Sequence, residues 1–169
     1  EDECREKNGS ELSRAWVERV DFASKTLHLA GQSPTEALSY DILLLATGST
    51  PQFFGWPGQT LNGVQGLYSY QDLALLETNT SGIKNAVVVG GGLIGVELAE
   101  MLHSRGIHVT FLVRERAYWD TVLPREESAL VELHIRSHGI DLRLCTELEA
   151  ILPDTTGQRV ASIKTLGSD

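Results

Sequence analysis

An α/β fold is what this sequence predicts, and three observations carry that expectation. A short β-branched run over residues 86–89 is followed by the turn Gly90-Gly91-Gly92-Leu93-Ile94-Gly95 and then by a helical pattern. The order strand, helix, strand, helix, strand continues over residues 86–146. Short segments with alternating apolar residues, separated by turn residues, lie on both sides of this stretch, at 15–29 and 148–166. Together these predict a three-layer, Rossmann-like parallel sheet with β-hairpin and meander additions, and right-handed crossovers between its strands.

Taken in order, residues 1–12 are polar and are expected to fray. Residues 15–20, with Trp16, Val17 and Val20, suit a strand; Ser24-Lys25 suits a turn and 26–29 a returning strand. Gly31-Gln32-Ser33-Pro34 breaks the chain. Residues 40–46 are almost continuously apolar and predict a strand covered on both faces, ending in Thr47-Gly48-Ser49. The glycine- and proline-rich stretch 50–66 predicts a linker, either pinned by Phe53, Phe54 and Trp56 or offering them as a docking patch. Ser69 and Asp72 have the spacing of a capping box, which predicts a short helix over 70–77.

The strand at 86–89 leads through the glycine turn into a helix over 93–105, with Ile94, Leu98, Met101 and Leu102 apolar and Gly106 as its left-handed stop. A second strand is expected over 107–113, and an irregular segment over 118–123. Pro124 suits the first helical position, and Glu126 and Glu127 complement the first turn of a helix that reaches His138 and stops at Gly139. A third strand is expected over 140–146, an extended segment over 148–152, a turn at 153–157 and a hairpin strand over 159–166. The pattern of 15–48 begins again at 141 and stops before its apolar strand, so the chain has the look of one cut short. The domain reading is therefore a partial first segment at 1–50, a linker and short helix at 51–84, and a nucleotide-binding domain at 85–169.

Each glycine of the G-x-G-x-x-G has a physical task. Gly90 permits the tight strand-to-helix turn, Gly92 lets backbone approach a pyrophosphate, and Gly95 lets the helix sit against the strand. The first helical N–H groups and the helix dipole then favour negative charge. The candidate dinucleotide-binding residues here are Gly90, Gly92, Leu93, Ile94 and Gly95.

The remaining features narrow the function classes. The chain of 169 residues is 41% hydrophobic and 22% charged, with a formal net charge of −9, which disfavours nucleic acid or an anionic membrane as partner. No apolar run approaches the roughly 20 residues of a membrane-spanning helix, and the charged start, Glu1-Asp2-Glu3-Cys4-Arg5-Glu6-Lys7, is unlike a signal peptide. Cys4 and Cys145 suggest neither a C-x-x-C pair nor a disulfide framework, and a cytoplasmic location is expected. His134 and His138 have a spacing that can bind zinc, but no third ligand is identifiable, so no metal site is expected. There is no G-x-S-x-G, and Tyr118 has no lysine four residues on.

Two segments carry a family resemblance. Residues 40–51, from Tyr40-Asp41 through Ala46-Thr47-Gly48-Ser49-Thr50-Pro51, resemble the Y-D-x-L-x-x-A-T-G-S-x-P segment of the FAD-dependent pyridine nucleotide-disulfide oxidoreductases. Residues 90–100 resemble their G-G-G-x-I-G-x-E-x-A-E, at a similar separation. The likeness is nearest to the branch with NADH oxidase, the nitrite reductase flavoprotein and rubredoxin reductase. The resemblance implies an oxidoreductase that passes hydride from NAD(P)H to FAD and on to an acceptor. It also implies that this chain is a central fragment, inactive alone, that binds NAD(P)(H) while FAD belongs to the parent protein. By the same resemblance Glu97 lies near the nicotinamide, and Leu93 stands where many relatives carry an aromatic lid. Partners are then the dinucleotide, the remainder of the flavoprotein, and a second copy joined through the apolar strand at 40–46. A non-catalytic nucleotide-binding or regulatory module is the alternative.

Selection between NADH and NADPH falls at the end of the second strand. Val113 occupies the position where NAD-preferring relatives carry an acid, and Arg114 the position of a phosphate-binding arginine. Glu115 lies 20 positions after Gly95, the spacing of a ribose-binding acid, and Arg116 follows it. A solvated charged turn would show the same residues, and the choice of cofactor stays open.

Overall fold

The structure, a computed structural model, describes residues 12–31, 33 and 37–166. The predicted frayed start with Cys4, the Gln32 and Pro34 of the predicted break, and residues 167–169 lie outside them. The chain divides into two compact units, Glu1–Gly48 and Ser49–Asp169.

In the first unit, β1 (Val17–Asp21), β2 (Thr26–Leu29) and β3 (Leu38–Ser39) form an antiparallel sheet in that order. The β1–β2 turn is built by Asp21, whose Oδ1 accepts the N–H groups of Ala23 and Ser24 at 3.0 Å each, and by Lys25 in the left-handed region at φ 53°. These N–H groups, Ser24 first, hold the Asp21 carboxyl below its ordinary range.

The apolar run at 40–46 departs from expectation. It forms no strand, and Ile42 and Leu44 are 91% and 85% exposed. Strand propensity needs a neighbouring ladder to satisfy each backbone N–H and C=O. Among the described residues pairing past β3 reaches Tyr40, whose N–H donates to the Lys25 carbonyl at 3.0 Å.

The second unit holds α1 (Tyr70–Thr80), β4 (Asn85–Val89), α2 (Leu93–Ser104), β5 (His108–Leu112), α3 (Arg125–Ser137), β6 (Asp141–Arg143), β7 (Glu147–Pro153) and β8 (Val160–Leu166). The Ser69/Asp72 capping box is present and starts α1, which runs three residues beyond the predicted 77. Strands β4, β5 and β6 form a parallel sheet in sequence order, with Val88 opposite Phe111 and Phe111 opposite Leu142. The expected β-α-β-α-β order is therefore observed. Val109, Phe111 and Leu142 of this sheet are fully or almost fully buried and pack with Ala99 and Leu102 of α2 and Ile135 of α3. Continuous apolar strands with helices against them are what a parallel sheet requires.

Helix α2 stops at Gly106, at φ 78°, whose N–H donates to the His103 carbonyl at 2.9 Å. Pro124, expected at the first helical position, sits one residue earlier, at the N-cap of α3. Strand β6 is shorter than predicted because Cys145 turns the chain at φ 52°. Beyond it β7 and β8 form the expected hairpin. Residues 57–64, read from sequence as part of a linker, are tied to that hairpin. The Ile151 N–H donates to the Pro57 carbonyl at 2.8 Å, and Val160 to Asn62 at 3.0 Å. Gly58, at φ 82°, lies so close that a Cβ there would overlap the Ile151 carbonyl. Phe54 and Trp56 contact each other with ring centroids 5.0 Å apart.

Candidate functional site

The turn from β4 to α2 is shaped by its glycines. Gly90, at φ 115°, extends the sheet by donating its N–H to the Leu112 carbonyl at 3.0 Å. Gly95 is buried one turn into α2, and a Cβ there would overlap the Gly90 carbonyl and stand 3.2 Å from Phe111 Cε2. Gly91, a position the G-x-G-x-x-G pattern leaves free, is also constrained: a Cβ would stand 2.9 Å from Val113 Cγ1. Gly92 differs from both. It has an ordinary extended backbone, and a Cβ there would meet nothing within 4 Å. The chain is thus packed behind the turn and open in front of it.

Gly92 is the N-cap of α2 and offers no side-chain cap, and no acid stands in the first turn. By contrast α1 carries Asp72 there and α3 carries Glu126 and Glu127. The first-turn N–H groups of α2 have no intrahelical partner and its positive pole is left uncompensated, which suits an anion.

In front of the turn lies a cleft of about 160 Å³ lined by Gly91, Gly92, Glu115, Trp119, Asp120 and Thr121. Its far wall comes from the segment after β5. Val113 is fully buried, and its N–H donates to the Arg143 carbonyl at 2.9 Å. The Glu115 carbonyl accepts the Cys145 N–H at 2.9 Å. Arg114 Nε donates to Glu115 Oε1 at 2.8 Å. That bond, the largest influence on both groups, lowers the Glu115 carboxyl from its ordinary value and raises the Arg114 guanidinium.

The segment read as merely irregular, 118–123, supplies half of the cleft lining. It is anchored to α3 from behind. The Tyr118 N–H donates to Glu132 Oε1 at 2.8 Å, and the buried Ser128 hydroxyl donates to the Tyr118 carbonyl at 2.6 Å. The Tyr118 ring is buried beside Phe111, and that burial raises its phenol from the ordinary value. Trp119 sits at φ 57°, and its carbonyl accepts the N–H groups of Val122 and Leu123. No periodicity marks such a segment. The available signal was the aromatic pair Tyr118-Trp119 placed a few residues after the second strand.

Of the sequence-predicted residues, the structure brings Gly92 and Glu115 together at the cleft, with Gly90 and Gly95 forming the turn behind it. Leu93 and Ile94 are exposed on the first turn of α2, and Glu97 is exposed on the next. Arg114 and Arg116 are exposed and do not line the cleft. The rings of His134 and His138 lie 4.2 Å apart at the far end of α3, and the two residues are linked by His138 Nδ1 donating to the His134 carbonyl at 2.9 Å.

A glycine turn opening on a cleft at the carboxyl ends of a parallel sheet is the place at which open α/β sheets take their ligands. Residues 5–168 match the family described as pyridine nucleotide-disulphide oxidoreductase, and the chain belongs to that family. An NADH oxidase of Lactococcus lactis is 31% identical over 134 residues, covering 78% of this chain and 30% of that protein. A water-forming NADH oxidase from Lactobacillus brevis, solved bound to NADH, superposes with a TM-score of 0.73 and 27% identity over 88% of this chain and 33% of its own. A ferredoxin reductase from Rhodopseudomonas palustris shares the fold with a TM-score of 0.86 over 98% of this chain and 40% of its own, at 23% identity. The chain therefore spans 30 to 40% of the length of these proteins. Among the described residues no helix is long and apolar enough to cross a membrane.

Proposed function

We propose that this chain is the NAD(P)H-binding part of a flavin-dependent oxidoreductase that passes hydride from NAD(P)H to FAD and on to an acceptor. The observation that carries this reading is the β4–α2 turn, closed behind Gly95 and open in front of Gly92. The cofactors supply the hydride chemistry when bound; the protein binds, orients and excludes. Gly90, Gly92 and Gly95 shape the pyrophosphate cradle, and the first-turn N–H groups of α2, at Leu93, Ile94 and Gly95, face its charge. Glu115 stands on the ribose side, with Arg114 and Arg116 outside the cleft. Glu97, exposed on α2, lies toward the nicotinamide. Residues 1–50 contribute to the FAD-binding part of a longer flavoprotein, 51–84 connect it, and 85–169 hold the nucleotide. The exposed run at 40–46 adds to a sheet supplied by the remainder of the flavoprotein, with a second copy as the other candidate. A cytoplasmic setting fits this reading.

Isothermal titration with adenosine diphosphoribose, NADH and NADPH tests it, together with Gly92→Asp. Asp is a favoured N-cap and has room at this position, so the variant keeps its fold while its carboxylate repels the pyrophosphate. Binding by the protein and a loss of about tenfold or more in the variant are expected. No binding of any of the three at millimolar concentration, or equal binding by the variant, overturns the reading.

A further inference from the structure

The turn at 61–64 takes no part in the cleft lining and carries chemistry of its own. The Val64 N–H donates to the Leu61 carbonyl at 3.1 Å, which places Asn62 and Gly63 at the centre of a β-turn. Gly63 sits at φ 89°, and a Cβ there would stand 3.0 Å from Val160 Cγ1, so the turn requires glycine at this position. Asn62 is exposed, and its side chain takes no hydrogen bond among the described residues. The Gly63 N–H has no partner among them either. A side-chain amide and the next backbone nitrogen are therefore both free, with no Cβ on the following residue to crowd their approach.

The guanidinium of Arg159 lies over the same glycine. Its Cζ and Nη2 would each stand 3.6 Å from a Cβ at Gly63. It is held there by Nη2, which donates to the Asn79 carbonyl near the end of α1 at 3.1 Å. A fixed cation beside an amide favours loss of the amide proton, and it favours the negative charge that builds when the nitrogen attacks a carbonyl. The main chain of the turn is tied down at the same time. The Asn62 N–H donates to the Gln158 carbonyl, and the Asn62 carbonyl accepts the Val160 N–H, each at 3.0 Å.

We propose that Asn62 is a site of spontaneous deamidation, promoted by Arg159. The Gly63 nitrogen gives up its proton, bonds to Asn62 Cγ and expels the side-chain nitrogen, which leaves with that proton as ammonia. Water then opens the cyclic imide, at Cγ to give aspartate or at the main-chain carbonyl carbon to give isoaspartate, and no electrons are exchanged. Both products place a carboxylate beside Arg159. In isoaspartate the main chain runs through Cβ and Cγ, so the carbonyl that accepts the Val160 N–H becomes part of a branch and the tie to the β7–β8 hairpin weakens. The reaction needs no ligand and stands apart from the nucleotide-binding reading.

The test is peptide mass mapping of the folded protein after incubation at mildly alkaline pH in water labelled with heavy oxygen. Asn62 is expected to take up label at least about tenfold faster than Asn79 and Asn85, which precede Thr80 and Ala86. Asn8, which also precedes a glycine, lies outside the described residues and is mapped separately. Arg159 is exposed, so its variants keep the fold. Arg159→Ala is expected to slow conversion of Asn62 about three- to tenfold, and Arg159→Lys to retain most of the wild-type rate. In urea the wild type and Arg159→Ala should convert alike, because the guanidinium is no longer held over Gly63. Hydrogen exchange supplies a second readout: in converted protein the Val160 amide should exchange faster while that of Phe111 is unchanged. Conversion at Asn62 no faster than at Asn79 and Asn85 overturns the site. An equal rate in folded Arg159→Ala overturns the part given to Arg159.

Discussion

The two units of the chain carry comparable apolar residues and use them differently. In the first unit three antiparallel strands pair in a ladder, yet Leu29 is the one buried hydrophobe among its described residues, and Trp16 is 78% exposed. In the second unit the parallel strands bury Val109, Phe111 and Leu142 against α2 and α3. A ladder satisfies backbone groups, but a core needs a second layer. The difference teaches that local pairing and tertiary stability are separate achievements, and that among the described residues the second unit has both.

The largest blow to the comparison is Phe111→Ala. It should cost about 3–5 kcal/mol through a cavity in the parallel sheet. Urea unfolding followed by fluorescence checks this, with Trp119 reporting the transition and the exposed Trp16 in the first unit responding little. Next is Ser128→Ala, which leaves the Tyr118 carbonyl without its buried donor and should cost about 1–3 kcal/mol. It should also weaken nucleotide binding, which the same titrations would read.

Smaller again is Ser69→Ala at the start of α1, about 1 kcal/mol for the lost cap. The Asp72 carboxyl is held below its ordinary 3.8, first by the Ser69 N–H and next by the Ser69 hydroxyl. A lowered folded pKa means that this contribution is present above the ordinary value and is lost as pH falls through the folded one. Carboxyl titration by NMR should therefore find Asp72 low in the wild type and shifted up in the variant. Smallest is Leu44→Ser, within about 0.5 kcal/mol, because an exposed side chain has little burial to lose. A cost above about 1 kcal/mol would show that the run at 40–46 packs against something, and would erase the contrast between the units.

What could be read in the sequence follows the same division. The β4-α2-β5-α3-β6 order was legible because each element carries its period and its stop: β-branched residues at 86–89, Gly106 after α2 and Gly139 after α3. Residues 40–46 have the composition of a strand and form none, because apolarity reports the tendency to be buried, not the presence of a partner. The glycine turn was legible from spacing, whereas Gly91 was not, because its constraint comes from Val113 across the sheet. Trp119, Asp120 and Thr121 escaped for a related reason. They reach the cleft from an irregular segment whose shape is set by Tyr118, Ser128 and Glu132, residues that come together only in three dimensions.

The clamp between α3 and Tyr118 has a consequence for affinity. A recognition segment held rigid before its ligand arrives surrenders its freedom during folding and has little left to surrender on association. With a nucleotide in the cleft as proposed, Ser128 and Glu132 of α3 would then govern how tightly it is held, by keeping the wall after Tyr118 still. Tuning of binding in this protein would accordingly arise in helix packing some distance from any phosphate, and substitutions there would change how long the ligand stays more than how fast it arrives.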